Sequence, residues 1–362
     1  MSEEGTNTQV EGFEVRQRYF EDLTEACEAA REGCALFEMP WRSHVIATGP
    51  HARRFVHNMT TCQIKELKPG EGRFGMSVDS GGKLVADFFV EAEEDRLVLE
   101  SSCSGADAIV AHLKSYIIAD RVNLERETTG VVLALTGAAS QQVVEHTFEG
   151  APLPHEAYAW CSGTIAGHGV RLRNNPHRLG VPGWDLTVPA EHLTEVRDAL
   201  LNVGATRVGH EAFEICRVLA GVPRVPDDMG LSNVPLESDS LAETIDWDKG
   251  CYIGQEVIAM MHYRGRPNRH LRGLAFGGDT PEPGATISTD EGREVGTVGT
   301  VINSPASLTS VTLTPDQPTG LSTLTCLAEG FSDADGDDPS HVLLVRPGSL
   351  YGCPPRVCTR MS

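Results

Sequence analysis

The sequence predicts an α+β protein built from two successive units. Helical and strand patterns alternate along the first 150 residues, and a similar order of strands followed by helices recurs after a linker near 150–163. The chain has 362 residues, of which 40% are hydrophobic and 22% are charged. This length and composition suit about two or three ordinary globular domains with a sizeable core.

The first unit, residues 1–150, is predicted to mix helices and strands in close succession. Residues 17–31 carry apolar side chains at helical spacing, and Gly33 can end this helix. Ser104 is a candidate N-cap for a helix over 104–118. Strands are expected in 34–39, 43–49, on both sides of the turn at 79–82, in 120–127 and in 130–136, and further helices in 49–61 and at about 138–147.

The second unit, residues 151–248, repeats this order before regular structure ends. Two prolines and a glycine mark the linker that opens it. Strands are predicted near 164–188, and helices near 190–202 and 209–220. The stretch 221–248 is rich in prolines and acids, which is typical of an extended, irregular segment. Two further regions follow it, 249–304 and 305–362, and the last differs from the rest because it contains no lysine.

Charge and cysteine content exclude several functional classes. Thirty Lys and Arg residues against 51 Asp and Glu residues give a formal net charge of -21, which disfavours binding to nucleic acid or to an anionic membrane. The sequence contains neither an apolar run of membrane-spanning length nor the plan of a signal peptide, so we expect a cytoplasmic protein. Its ten cysteines include no CxxC pair, so no metal site is expected.

One segment combines a thiol with features that favour its ionisation. Gly250 and Gly254 flank Cys251 where the chain must turn tightly, and a helix can begin directly afterwards. The dipole of that helix and the neighbouring Lys249 both favour a thiolate, so a lowered pKa of Cys251 is expected. The alternative is a buried structural cysteine in a tight loop.

A basic stretch follows this segment between residues 260 and 272, and it contains no acid. Such a stretch suits an anionic ligand such as a carboxylate or phosphate tail, although charged runs are also common on solvated surfaces. Its members are His262, Arg264, Arg266, Arg269, His270 and Arg272.

These motifs resemble a known family. Lys-Gly-Cys-Tyr-Ile-Gly-Gln-Glu at 249–256 and RGRPNRHLRGL at 264–274 closely resemble the signature of the YgfZ family of folate-binding proteins. RVLAGVPR at 217–224 and RLGVPGWDLTVP at 178–189 are similar to two further segments of that family. The resemblance covers about residues 13–304 and extends to the wider glycine-cleavage T-protein (aminomethyltransferase) superfamily.

The resemblance implies a specific architecture for the α+β fold. Two ferredoxin-like α+β units and a small C-terminal β-barrel form a ring around a central cavity, which holds tetrahydrofolate in the members that bind it. The barrel would begin near Gly273, and the similarity stops after residue 304, so an incomplete barrel is expected. Residues 305–362 resemble part of an extracellular Ig-like or cadherin-like repeat, from a fusion or a frameshift; a divergent native tail is the alternative.

The resemblance also implies roles for individual residues. Cys251 and Asp87 are the expected catalytic residues, and Asp87 falls where the T-protein has its catalytic aspartate. A simple strand-end aspartate is the alternative. Two positions depart from the family pattern, because Val181 and Leu219 replace acids. The expected folate-binding residues are Lys249, Tyr252, Gln255, Glu256, Arg264, Arg272, Trp184 and Arg217.

Three functional hypotheses follow. The first is a tetrahydrofolate-binding accessory protein that uses Cys251 to support assembly or repair of iron–sulfur enzymes, with folate and iron–sulfur enzymes or assembly factors as partners and an association with tRNA modification. The second is a folate-dependent aminomethyltransferase in which Asp87 acts in catalysis. The third is a binding or scaffold module in which Cys251 is only structural.

Overall fold

A computed structural model describes residues 7–20, 22–127, 130–265, 267, 269–275, 281–288, 294–304 and 341–347. Its helices are α1 Leu23–Arg31, α2 Ala52–Met59, α3 Cys103–Lys114, α4 Ser140–Thr147, α5 Leu193–Asn202, α6 His210–Leu219, α7 Asp239–Ala242 and α8 Gln255–Arg264. None of the helices in these ranges is long and apolar enough to cross a lipid bilayer.

The strands alternate with the helices, as an α+β fold requires. They are β1 Asn7–Val10, β2 Phe13–Arg16, β3 Ala35–Met39, β4 Arg42–Thr48, β5 Gly72–Val78, β6 Leu84–Ala92, β7 Arg96–Ser102, β8 Asn123–Glu127, β9 Gly130–Thr136, β10 Phe148–Gly150, β11 Trp160–Ile165, β12 His168–Asn174, β13 Gly183–Pro189, β14 Thr206–Arg207, β15 Leu271–Ala275, β16 Thr286–Ser288, β17 Glu294–Ser304 and β18 His341–Pro347.

Two large sheets form the body of the molecule. The first has the strand order β5-β6-β7-β4-β8 and is antiparallel throughout. Helices α2 and α3 cover it through a core that includes Phe88 and Ile109, both fully buried. The second sheet has the order β10-β11-β12-β13-β9-β3-β14, and α4 and α5 pack on its strand β13. Two layers of strands and helices thus produce the predicted α+β class.

The second sheet crosses the boundary that the sequence placed after residue 150. Strand β9 pairs with β13, with Leu133 opposite Leu186, and also with β3, with Leu135 opposite Leu36. Strands from 1–150 and 151–248 are therefore interleaved within this second sheet, and neither range alone supplies all of its strands. Apolar side chains specify this register because a slip by one residue would turn them away from the core.

Two predicted helices begin elsewhere because side-chain caps decide their starts. Helix α1 begins at Leu23 rather than residue 17, since the Asp22 carboxylate accepts a hydrogen bond from Thr24 N at 2.8 Å. Helix α3 begins at Cys103, and its N-cap is Ser102, which accepts from Gly105 N at 3.0 Å. The predicted cap at Ser104 was therefore wrong by two positions.

A buried network of ion pairs joins the two sheets. Glu100 on β7 accepts hydrogen bonds from Arg42, Arg173 and Arg178, the last at 2.8 Å. Asp185 on β13 accepts from Arg173 at 2.6 Å and from Arg178 at 2.7 and 2.8 Å. Charge–charge interactions hold the pKa values of both carboxyls below their ordinary values despite burial. The remaining members are Glu91, Glu93 and Arg171.

A smaller C-terminal sheet has the order β15-β18-β17-β16. Strand β18 comes from the region 305–362 and pairs in parallel with β15 on one side and β17 on the other. At least one strand of this sheet is therefore supplied by the region that the sequence set apart. Residues 305–340 and 348–362 lie outside the described part of the chain.

Removal of the Glu100 charge should strongly destabilise the protein. In Glu100→Gln, Arg42 loses its carboxylate partner, and Arg173 and Arg178 lose one of theirs. Breaking a buried pair costs about 3 to 5 kcal/mol. Asp107→Asn is the control, because Asp107 pairs with Arg126 at the surface, where an ion pair contributes about 0 to 1 kcal/mol. Free energies of unfolding in urea test this, and equal losses in the two variants would contradict it.

Candidate functional site

A cavity of about 940 Å³ lies where the two sheets, helix α6 and the loop after it meet. Its volume falls in the range of small-molecule and cofactor sites. Strands β4 and β6 contribute Arg42 and Asp87, helix α6 contributes Phe213 and Arg217, and Tyr158 comes from the loop before β11. The network between the sheets therefore lies in one wall of this cavity.

Aromatic rings line much of the cavity. Phe89 packs against Phe74 with ring centroids 4.9 Å apart and against Tyr158 at 5.8 Å. Tyr158 has φ +66, a left-handed conformation that costs about 1 to 3 kcal/mol in a non-glycine residue. Burial raises the pKa of its phenol to about 12, so the hydroxyl keeps its proton at neutral pH. Phe89 itself is buried, with the guanidinium groups of Arg173 and Arg178 over its ring. The partly exposed rings of Phe74 and Tyr158 can contact a flat ligand ring.

Asp87 presents a carboxyl group to this cavity from strand β6. Its backbone carbonyl accepts a hydrogen bond from Ser101 Oγ at 2.7 Å, which fixes the strand locally. Burial raises the pKa of the carboxyl, and the positive charge of Arg42 opposes that rise. A carboxyl with a raised pKa can exchange a proton with an amine of a bound molecule.

Arg217 lines the same cavity, but its donors are occupied. Nη1 donates to Val222 O at 2.7 Å and to Asp228 at 2.8 Å. Nη2 donates to Glu214 at 2.6 Å and to Thr300 Oγ1 at 3.0 Å, and Nε also donates to Glu214. All five N–H groups of a guanidinium are thereby used, so Arg217 holds α6 against the following loop and strand β17.

Cys251 lies in a second, open pocket of about 490 Å³, which shares no lining residue with the central cavity. The thiol is exposed and forms no disulfide. Gly250 has φ +89, and Gly254 has φ +76 and is the N-cap of α8. The predicted tight turn and helix start are confirmed, and the alternative of a buried cysteine is wrong. Arg54 and Lys65 also line this pocket.

Lys249 points inward and holds the signature segment against helix α2. Its Nζ donates to His57 O at 2.5 Å and to Thr60 O at 2.6 Å, at the C-terminal end of that helix. Burial lowers the pKa of the ammonium to about 8. Nδ1 of His57 accepts from Ile64 N and Lys65 N, so its Nε2–H donates to Lys249 O at 3.1 Å. The lysine thus has a structural contact in addition to its position beside Cys251.

The structure separates the other residues that the resemblance assigned to folate. Trp184 on β13 is buried in a core cluster with Leu133. Tyr252 is buried in a core cluster with residues of β5 and β6. Gln255 accepts from Tyr252 N at 3.3 Å, and Arg272 donates to Leu271 O at 3.0 Å. Glu256 and Arg264 lie in the first and last turns of α8. Of the residues assigned to the site, Asp87 and Arg217 line the central cavity, whereas Lys249, Cys251 and Tyr252 line the open pocket.

The described residues of the basic stretch contact different parts of the preceding loops. Arg269 donates to Ser232 O at 2.7 Å and pairs with Glu237, and His262 stacks on Trp247 with ring centroids 3.9 Å apart. Arg266 lies outside the described residues. These contacts tie the stretch to the preceding loops.

The sequence reasoning missed most cavity residues, Tyr158 and Arg42 among them. Tyr158 lies in the segment interpreted as a linker, and no pattern marked it. Arg42 begins a strand whose next residues are largely buried, and a charged residue at such a position was the available signal.

Comparison with known proteins identifies the family. The sequence profile of the GCVT N-terminal domain family matches residues 2–249. The chain belongs to this family. An aminomethyltransferase of Herpetosiphon aurantiacus is 25% identical over 82% of this chain and 81% of its own length. The tRNA-modifying protein YgfZ of Vibrio vulnificus is 26% identical over 70% of this chain and 72% of its own, so the predicted resemblance is confirmed.

A solved structure supports the fold. The glycine cleavage system aminomethyltransferase T of Bartonella henselae superposes with a TM-score of 0.65, at 16% identity over 81% of each chain. The predicted T-protein-like α+β fold is confirmed by this superposition. At this identity the likeness concerns the fold alone.

The two glycines of the signature should differ in their tolerance of alanine. Both have positive φ, which costs an alanine about 1 to 2 kcal/mol. A Cβ at Gly250 meets nothing within 4 Å, whereas one at Gly254 would lie 2.3 Å from Asp79 O. We expect Gly254→Ala to lose about 3 kcal/mol or more and Gly250→Ala about 1 to 2. Urea unfolding measures both, and a larger loss at Gly250 would contradict this.

Proposed function

We propose that this protein binds tetrahydrofolate in the central cavity and supports iron–sulfur enzymes through the exposed thiol of Cys251. The observation that carries the first part is a cavity of about 940 Å³ that combines an aromatic lining with the Asp87 carboxyl. The names of the relatives, aminomethyltransferase and tRNA-modifying protein YgfZ, support a folate-related ligand.

The residues at the cavity wall suit the three parts of a folate. The flat pteridine ring is compatible with the partly exposed surfaces of Phe74 and Tyr158. Asp87 can accept a hydrogen bond from a ring or bridge amine. Arg73 and Arg224 also line the cavity and provide positive charge for the carboxylates of the glutamate tail. When bound, tetrahydrofolate supplies amines that can carry a one-carbon unit.

Cys251 is proposed to act on a partner rather than on the folate. Its pocket and the central cavity have no lining residue in common, so the thiol does not face a ligand in that cavity. A stable iron–sulfur cluster is held by about four cysteine ligands, and one exposed thiol provides a single ligand. A transient contact with an iron–sulfur enzyme or an assembly factor is the compatible role.

A second candidate function is folate-dependent aminomethyl transfer. The position of Asp87 at the cavity wall favours it, because a carboxyl there can orient the acceptor amine. Val181 and Leu219 argue against it, because apolar side chains replace two family acids and both pack against the hydrophobic core. Release of methylenetetrahydrofolate from an aminomethyl-loaded carrier protein would favour this second function.

Tetrahydrofolate should bind to the full-length chain and equally to Cys251→Ala. The two pockets share no lining residue, so loss of the thiol leaves the central cavity unchanged. Calorimetric titration of tetrahydrofolate into both proteins measures the affinity. Absence of binding to the folded wild-type protein would contradict the proposal for folate, and loss of binding in the variant alone would show that the thiol acts on the ligand.

Cys251→Ser should abolish rescue of iron–sulfur enzyme activity in a strain that lacks the protein. Serine keeps the size and exposure of the side chain but removes the nucleophilic sulfur. Cys161→Ser is the matched control, because Cys161 is partly buried on strand β11, where burial raises its thiol pKa. Full rescue by the Cys251 variant would remove the thiol from the mechanism.

A further inference from the structure

Among the residues that the structure describes, the cavity wall contains one guanidinium, that of Arg42, whose terminal nitrogens make no hydrogen bond. Arg42 Nη2 is buried and has no hydrogen-bond partner within the described ranges. Among the cavity-lining residues that the structure describes, Arg42 is the one with such a buried, unpartnered polar atom. A buried donor without an acceptor costs about 1 to 3 kcal/mol, so a ligand acceptor at this position would be strongly favoured.

The arrangement of Arg42 leaves these nitrogens for a ligand. Its Nε donates to Glu100, which also accepts from Arg173 and Arg178. One Glu100 oxygen contacts Arg42 at Nε, and the other accepts from Arg173 and Arg178. Glu100 therefore holds one edge of the Arg42 guanidinium and does not bind its terminal nitrogens. Arg217, in contrast, has all five N–H groups occupied by protein atoms. Both residues line the cavity, but only Arg42 of this pair has free hydrogen-bonding capacity.

Asp87 offers the complementary group in the same cavity. Its carboxyl receives no hydrogen bond from another residue in the described part of the chain, and it lines the cavity together with Arg42. The charge of Arg42 is the largest of the favourable charges that act on Asp87. One group can therefore donate to an oxygen while the other accepts from a neighbouring N–H.

We propose that Arg42 and Asp87 together recognise the edge of a reduced pterin at which the C4 carbonyl oxygen and the N5–H lie side by side. Arg42 donates to the carbonyl oxygen, and Asp87 accepts from N5–H. This inference rests on the proposed binding of tetrahydrofolate and makes Arg42 a specificity-determining residue of that site. Val181 stands where the family has an acid, and its side chain accepts no hydrogen bond from the pterin. Recognition at the C4 carbonyl edge therefore contributes more to ligand selection in this chain.

A ligand that lacks the oxygen tests the proposal without any change to the protein. The probe is 4-amino-4-deoxy-tetrahydrofolate, in which an amino donor replaces the C4 oxygen and faces the Arg42 donors. We expect wild-type protein to bind tetrahydrofolate at least about tenfold more tightly than this analogue, because a site built for one hydrogen-bonding group rejects its replacement. Calorimetric titration of both ligands gives the ratio of the two Kd values.

Arg42→Met should reduce this ratio towards one, since methionine keeps the length of the side chain but donates no hydrogen bond. Arg73→Met is the control, because it removes a positive charge from the same cavity while Arg73 Nη1 already donates to Gly72 O at 2.7 Å. The control should weaken the binding of both ligands alike, because both carry the same glutamate tail, and should therefore keep the tenfold preference. If Arg42→Met unfolds because Glu100 loses a donor, Arg42→Lys retains the charge and should also lower the ratio, since one ammonium replaces the guanidinium fork.

The outcomes separate this inference from the proposed function. Tight binding of both ligands by wild-type protein would overturn the inference while folate binding stands. A preference that persists unchanged in Arg42→Met would also overturn it, because another cavity residue would then recognise the oxygen. Binding of neither ligand to folded wild-type protein would overturn the proposed function itself.

Discussion

The buried ion pairs that join Glu100 on β7 to Asp185 on β13 through two shared arginines are the constraint on which the rest of the structure depends. Glu100 and Asp185 come from different sheets and share Arg173 and Arg178. Removing such groups from water is costly, and the cost is offset only where each charge meets its partners in good geometry. The sheets therefore have one favourable placement. Since Arg42 is held by the same carboxylate, that placement also determines the shape of the cavity wall.

The fold places the central cavity and the Cys251 thiol in two separate pockets. The central cavity is lined by rings, arginines and one carboxyl, whereas Cys251 is exposed in an open pocket next to α2. Lys249 donates hydrogen bonds to the last carbonyls of that helix. These bonds give the neighbouring thiol a defined position on the surface. The proposed ligand and the proposed partner would therefore use different residues, because the two pockets share no lining residue.

Local patterns in the sequence were sufficient for the elements and for the fold class. Alternation predicted β9 and β13, and helical spacing predicted α6, because these signals lie within each segment. The start of α1 depended on one hydrogen bond to Asp22, which spacing does not encode. The pairing of β3 with β9 was not predictable from local patterns, because it joins positions about 100 residues apart. The sequence identified the signature, but it did not predict that Cys251 and Asp87 lie in separate pockets, because that depends on the tertiary structure.

The contacts of Lys249 also couple the local unfolding of the signature segment to that of the end of helix α2. Its ammonium binds His57 O and Thr60 O, and Ile253 N donates to Asn58 O at 3.1 Å. Breaking these bonds exposes the signature and the end of α2 together, so both belong to one cooperative unit of local unfolding. Their backbone amides should therefore share one free energy of opening in hydrogen exchange. The exposed thiol of Cys251 therefore lies on a segment whose position depends on its contacts with helix α2.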